Sequence, residues 1–179
     1  MGCSDSKVIA NQKNEVKAAE PAAPKTIDYI GGCFCGAVEY EAKGEVRFNF
    51  LCHCRHCSTG VGMCPVHLCA VVGGDVKFLK GADKVKTFAG NGSLRQTKCT
   101  ECGCALYQGP EGAPFKAYYP RQLKGYVKGK DNKYPADLAP TAHINYENRV
   151  FDWADSLPKY SAFPSSTPLD NAGNPIESK

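Results

Sequence analysis

The chain has 179 residues, enough for one domain with a real hydrophobic core, and its 42% apolar and 22% charged content is ordinary for a globular protein. It holds no apolar run of about 18 residues or more, which excludes a membrane-spanning helix. A net charge of +4 is a mild basic bias; it suits an anionic small molecule, a nucleic acid or an acidic surface and selects none of them.

Residues 1–26 are rich in Ala, Lys, Glu, Asn and Pro without a sustained apolar period, and are expected to form a disordered leader. The leader has no apolar core of a secretory signal, so the expected compartment is the reducing cytoplasm. Its opening "MGCSDS" fits the pattern for myristoylation at Gly2, with Ser6 in the favoured place and Cys3 as a second acylation site. In a eukaryote two such chains would hold the protein at a membrane surface; in a bacterium the pattern means nothing, and the plain alternative is an initiator followed by small polar residues.

Residues 27–164 change character and are expected to form the folded domain. Short β-prone runs, "AVEYEA", "VRFNFLC", "VHLCAVV", "VKFLK" and "VKTFAG", alternate with Gly-rich or polar turns, and strong helical periodicity is missing. The fold class is therefore mostly β. The stretch "GGDVKFLKGADKVKTFAGNGS" reads as two strands joined by a turn and closed by "NGS". Residues 109–140 read as loop, with many Pro, Gly and Lys, and residues 165–179 as a flexible polar tail.

The chain has eleven cysteines, and seven fall in tight groups: "CFC" at Cys33 and Cys35, "CHCRHC" at Cys52, Cys54 and Cys57, and "CTECG" at Cys99 and Cys102. In a reducing compartment such clusters are metal ligands or redox groups before they are disulfides. Cysteines one residue apart on an extended backbone point the same way, so each C-x-C pair can reach one metal. The C-x-x-C turn before Gly103 converges two more sulfurs. Seven donors divide as four plus three. Cys52, Cys54 and Cys57 are close enough in sequence to hold one ion by themselves, with a position left for water or substrate; Cys33, Cys35, Cys99 and Cys102 then close a tetrahedral structural site. Zinc leads because thiolate-rich tetrahedral sites select it, although iron also accepts four sulfurs.

The alternative is a pair of structural sites, with His53, His56 or another cysteine filling the fourth position. His53 lies between two ligands that share a face and should point away, whereas His56 can swing either way. Cys64, Cys69 and Cys104 are expected to pack rather than ligate, and His67 and His143 read as isolated histidines.

The ordered series "GGCFCGAVEYEA", "CHCRHCSTGVG", "FAGNGSLRQTKCTECGCALY" and "HINYENRVFDWADSLPKYSAFP" resembles the glutathione-dependent formaldehyde-activating enzymes and their centromere-protein-V relatives, over about residues 28–164. That resemblance implies a β-tent fold of two pitched antiparallel sheets with two zinc ions per chain. It also implies a structural zinc on Cys33, Cys35, Cys99 and Cys102, and a catalytic one on Cys52, Cys54 and Cys57. The implied activity joins formaldehyde to glutathione, giving S-hydroxymethylglutathione, formally a carbon–sulfur lyase reaction in reverse. Cys64, Cys69 and Cys104, the leader and a Lys/Tyr-rich stretch depart from the pattern and bear on the substrate rather than on the zinc frame.

A three-thiolate zinc carries a net negative charge and is a poor Lewis acid, so delivery of a bound thiolate is the expected chemistry. Arg55, His53 and His56 stand near enough in sequence to serve as electrostatic or proton-relay groups. Glutathione is dianionic in its carboxylates, and Arg95, Lys98, Lys116, Arg121 and Lys124 are candidate partners, or simply a solvated basic face. A rival reading is a non-catalytic zinc module that binds nucleic acid, cytoskeleton or an acidic protein surface. It rests on "FKAYYPRQLKGYVKGKDNKY", which interleaves Lys and Arg with four tyrosines. Metal storage or thiol redox sensing comes last, because metal buffers lack a core of this size.

Overall fold

The computed structural model describes residues 25–90, 92–126 and 134–177; Gly2, Cys3 and the expected leader up to residue 24 lie outside them. The regular elements are β1 (Thr26–Gly32), β2 (Glu39–Cys52), α1 (Arg55–Val61), β3 (Val66–Val72), β4 (Phe78–Lys80) and β5 (Val85–Ala89). They continue with β6 (Leu94–Cys99), β7 (Ala105–Pro110), β8 (Phe115–Tyr118), β9 (Ala142–Ile144), β10 (Lys159–Tyr160) and β11 (Pro168–Leu169). No helix among them is long and apolar enough to cross a membrane.

The fold is mostly β, and β2 is its ridge. The first half of this strand, Glu39–Glu45, pairs with β1 and β4, and its second half, Val46–Cys52, pairs with β3 and β9. The change of partners falls at a register shift between Val46 and Phe48, just after Gly44, whose φ of 135° no side-chain-bearing residue adopts readily. From β2 the larger sheet runs β3-β8-β7-β6-β5 on one side and β9-β10-β11 on the other. Two pairings, β2 with β9 and β9 with β10, are parallel rather than antiparallel. A parallel neighbour needs a long connection: the chain leaves β2 and passes through α1 and β3 to β8 before it returns as β9, and residues 145–158 join β9 to β10.

β3 lies in the middle, and its residues feed two cores. Cys69 and Val71 pack with Tyr40, Leu106, Tyr118 and Leu138 on one face; Val66, Leu68 and Ala70 pack with Cys52, Cys57, Tyr119 and Ile144 on the other. Burial on both faces is why "VHLCAVV" reads as a continuous apolar run.

The two strands expected around Gly81 are present as β4 and β5, joined by a short turn over residues 81–84, and they pair with different neighbours, β4 with β2 and β5 with β6. Two expectations need correcting. The loop-like stretch 109–140 contains β8, whose Ala117 and Tyr118 are buried; prolines at 114 and 120 bracket it and masked its four residues. The tail is not loose through residue 177. Its Leu169 is buried in β11 against β10, and the hydroxyl of buried Tyr146 donates to the Asn171 carbonyl at 2.8 Å.

Candidate metal centres

Cys33 and Cys35 occupy a tight turn after β1, not an extended run. The Gly36 N–H donates to the Cys33 carbonyl at 3.2 Å and the Cys33 N–H to the Val38 carbonyl at 3.1 Å, so a turn and not strand alternation brings the two sulfurs together. Cys99 ends β6, and the Gly103 N–H returns to its carbonyl at 2.9 Å, folding Cys102 back beside it. The four Sγ atoms lie within 4.8 Å of one another, with Cys33–Cys35 at 3.5 Å and Cys35–Cys99 at 4.0 Å. A tetrahedron with metal–sulfur bonds of about 2.3 Å has edges of about 3.8 Å, so the group fits such an ion. The Cys104 backbone N–H, followed by the Cys35 N–H, holds the Cys102 thiol down at about 6, so this group starts with an anionic donor near neutral pH.

The second group is built at the end of β2. Cys54 has φ −62° and ψ 144°, extended like the strand before it, so Cys52 and Cys54 share a side while His53 turns to the other. Then α1 begins, a helix that the sequence pattern did not reveal. Cys54 is its N-cap, its sulfur accepting the Cys57 N–H at 3.3 Å, and Gly62 closes it in the left-handed region with its N–H on the Ser58 carbonyl. That single turn carries Cys57 round to the other two, and the three Sγ atoms lie within 4.8 Å of one another. Hydrogen bonds from the Cys52 and Cys57 thiols, then from the Cys57 and His56 backbone N–H groups, depress the Cys54 thiol to about 2, while the bond to Cys54 and burial push Cys52 up. Thiols this crowded do not all ionise unless a cation joins them. Among the described residues no histidine or carboxylate completes the set.

Two side-chain amides reach these sulfurs from far along the chain. Buried Gln108 accepts at Oε1 from Gln96 Nε2 (3.0 Å) and from the Tyr119 hydroxyl (2.8 Å), which fixes its Nε2–H on Cys57 Sγ at 3.0 Å. Asn145 donates from Nδ2 to Cys52 Sγ at 3.6 Å from a backbone at φ 53°, a left-handed conformation that Asn tolerates better than most residues. Neither residue stands out by spacing or motif.

His143 is not isolated. Asp155 Oδ2 accepts from its Nε2 at 2.9 Å, which leaves Nδ1 to accept from His53 Nε2 at 2.8 Å, and the remaining His53 Nδ1 faces Cys64 Sγ at 3.7 Å. Lys159, 2% exposed, closes the chain on Asp155 Oδ1 at 2.7 Å. Burial lowers both histidines, His53 to about 4, so both rings are neutral at pH 7. Cys64 thus ends a polar chain on the far side of His53, Cys69 is fully buried in the core, and Cys104 accepts from Gln122 Nε2 at 3.4 Å.

The remaining candidates scatter. Arg55 and His56 are exposed on α1 and line a separate 290 Å³ cleft with Gln96. Arg95 pairs with Glu111 and Lys124 with Glu39. Lys98 and Arg121 border one 390 Å³ cleft, and Lys116 lies elsewhere. In the Lys/Tyr stretch, Tyr118 and Tyr119 are core residues, so half of the rings that suggested a stacking platform are turned inward.

A family model described as glutathione-dependent formaldehyde-activating enzyme matches residues 28–148. A crystal structure of a Rhodobacter sphaeroides protein aligns at 23% identity and a TM-score of 0.44, covering 57% of this chain and 93% of that one. No curated protein matches.

Proposed function

This chain belongs to the glutathione-dependent formaldehyde-activating enzyme family, and on that premise we propose that it is a zinc-dependent enzyme of the carbon–sulfur lyase type that joins a thiol to an aldehyde. Glutathione and formaldehyde, giving S-hydroxymethylglutathione, are the pair to test first. In this reading Cys33, Cys35, Cys99 and Cys102 hold a structural zinc and Cys52, Cys54 and Cys57 a catalytic one. The observation that carries it is the unequal pair of sulfur groups, four donors in one and three in the other.

When bound at the three-sulfur group, zinc supplies a positive centre that makes an incoming thiol anionic and nucleophilic at neutral pH. The chain's own residues do the rest. Cys54 starts ionised, and Gln108 and Asn145 place N–H donors on Cys57 and Cys52, spreading the negative charge of the sulfurs. The walls of this group, Val66, Leu68, Ala117 and Ile144, are apolar, which strengthens those electrostatic contacts. The reaction forms one carbon–sulfur bond, opens the carbonyl π bond and returns the thiol proton to the new alkoxide oxygen, with no oxidant needed.

The test is metal analysis of the purified protein together with NMR exchange spectroscopy of the formaldehyde–glutathione adduct. Two zincs and accelerated exchange support the reading. Cys54→Ser should abolish the acceleration and release one zinc while the fold persists, whereas Cys99→Ser should compromise folding. Two zincs without acceleration would overturn it in favour of a binding module, whose affinity should instead fall steeply with salt.

A further inference from the structure

The two sulfur groups differ in what stands over them. In the three-sulfur group Cys52 is 2% and Cys57 7% exposed, behind the apolar wall of Val66, Leu68, Ala117 and Ile144. In the four-sulfur group Cys33 and Cys99 are buried, but Cys35 and Cys102 are both exposed. Phe34, the side chain between the two ligands of its turn, is 93% exposed and therefore covers neither. A Cβ placed on Gly36 or Gly103, the residues that follow Cys35 and Cys102, would meet nothing within 4 Å. The group that ties the fold together is thus the one that solvent reaches, and the group read as catalytic is the sheltered one.

Access governs which thiolates meet an oxidant. The two exposed sulfurs belong to different turns and are neighbours: all four Sγ atoms lie within 4.8 Å of one another, and the Cys35 backbone N–H bonds to the Cys102 sulfur. Within the turns, a Cys33–Cys35 ring would be strained, and Cys99, the other partner open to Cys102, is 2% exposed and meets no oxidant itself. We propose that the four-sulfur group is an oxidation site, at which a hydroperoxide joins Cys35 to Cys102 and displaces the metal. One thiolate attacks the peroxide, forming an S–O bond as the O–O bond breaks and the leaving oxygen takes a proton. The second thiolate attacks that sulfur, forming the S–S bond and expelling hydroxide, which takes another proton. Each sulfur gives up one electron and the peroxide takes two; zinc leaves in its original oxidation state because only two donors remain. The new bond spans the same two turns as the metal, so β1 stays tied to β6 and a dithiol reductant reverses the step. The proposal rests on zinc at the four sulfurs, as assigned above, and not on the proposed activity.

The test uses the zinc-loaded full chain, freed of reductant and treated with hydrogen peroxide. A chromophoric chelator follows zinc release, and alkylation with mass mapping follows each cysteine. The first zinc should leave about tenfold faster than the second, with Cys35 and Cys102 joined while Cys52, Cys54 and Cys57 are still reduced. The urea midpoint should hold at that stage, and dithiothreitol with added zinc should restore both metals. Cys104, whose sulfur accepts the Phe34 N–H, is the thiol beside the group that the proposal leaves out, so Cys104→Ser should not change the first phase. Oxidation of the three-sulfur group first, a disulfide confined to one turn, or a first phase slowed in Cys104→Ser overturns the proposal. So does collapse of the urea midpoint, retention of both zincs under peroxide, or a purified chain with no metal on the four sulfurs. The expected pattern in a protein that does not accelerate adduct exchange would uphold the oxidation site and sink only the enzyme reading.

Discussion

Gln108 offers a sharp perturbation because its amide has no freedom. It is 2% exposed, its oxygen is used twice, and its nitrogen points at Cys57 Sγ at 3.0 Å. Gln108→Glu keeps an acceptor for Gln96 and Tyr119 but removes the donor and sets a carboxylate against the Cys57 sulfur. A hydrogen bond to a charged group is worth about 1.5–3 kcal/mol, which corresponds to roughly 10- to 100-fold in affinity for the ion at the three-sulfur group. A protonated Glu could restore the donor, so the loss should deepen as pH rises. Gln108→Leu removes the acceptor as well and strands two buried donors, at about 1–3 kcal/mol each, so here the fold itself should weaken. Competition with a chromophoric chelator, read alongside urea unfolding, distinguishes the two variants. Gln108→Glu should release one of two metals early while barely moving the unfolding midpoint. If both metals are held as tightly as in the parent, the amide does not stabilise that sulfur and the electrostatic reasoning fails.

Three further outcomes follow from buried groups. Asp155→Asn takes the carboxylate from Lys159, which is 2% exposed, and an unpaired buried ammonium should cost about 3–5 kcal/mol in urea unfolding, more than Lys159→Met, which removes the charge itself. Burial holds His67 at about 4 against an ordinary 6.5, so its contribution is complete above pH 6.5 and is lost as pH falls towards 4. At 1.36 kcal/mol per pH unit that difference amounts to roughly 3 kcal/mol, and His67→Gln should flatten the stability profile in that window alone. Deleting residues 165–179 should cost roughly 2–5 kcal/mol in thermal or chemical unfolding, because Leu169 is buried and the Tyr146 hydroxyl loses its acceptor; a freely mobile tail would cost nothing.

What could be read from the sequence depended on range. The clustering of cysteines is local, and burial of both faces of β3 leaves a plain apolar run, so the sulfur groups and the β class were legible. α1 was not, because seven residues capped by a cysteine sulfur carry no amphipathic period. β8 hid between prolines, and the tail's polar composition concealed one buried leucine that fixes it. The side chains packed around the three-sulfur group come from much farther away: Gln108, which donates to Cys57, is 51 positions from it, Asn145 is 93 from Cys52, and on the opposite side of the strand end His143 is 90 from its partner His53. Only the paired sheet brings them there. The turn at Cys33–Cys35 carries a smaller lesson, since the spacing argument named the right pair for a geometry the backbone does not adopt.

The same measure of range bears on why one chain should carry two sulfur groups. The four-sulfur group links turns whose Cys35 and Cys99 are 64 positions apart, so a metal there ties β1 to β6 and removes a long loop from the unfolded ensemble. The three-sulfur group closes only about five positions. By the logarithmic dependence of closure entropy on loop length, it contributes about 2 kcal/mol less as a cross-link. A local group is therefore a poor staple, yet this is the one to which the fold brings Gln108, Asn145 and an apolar wall from distant strands. That investment is unexplained if both metals only hold the fold. It is expected if the sulfurs at positions 52, 54 and 57 must keep a defined charge and direction for a reacting thiol, and a Cys54→Ser protein that folds, keeps its other metal and still accelerates adduct exchange would break that link.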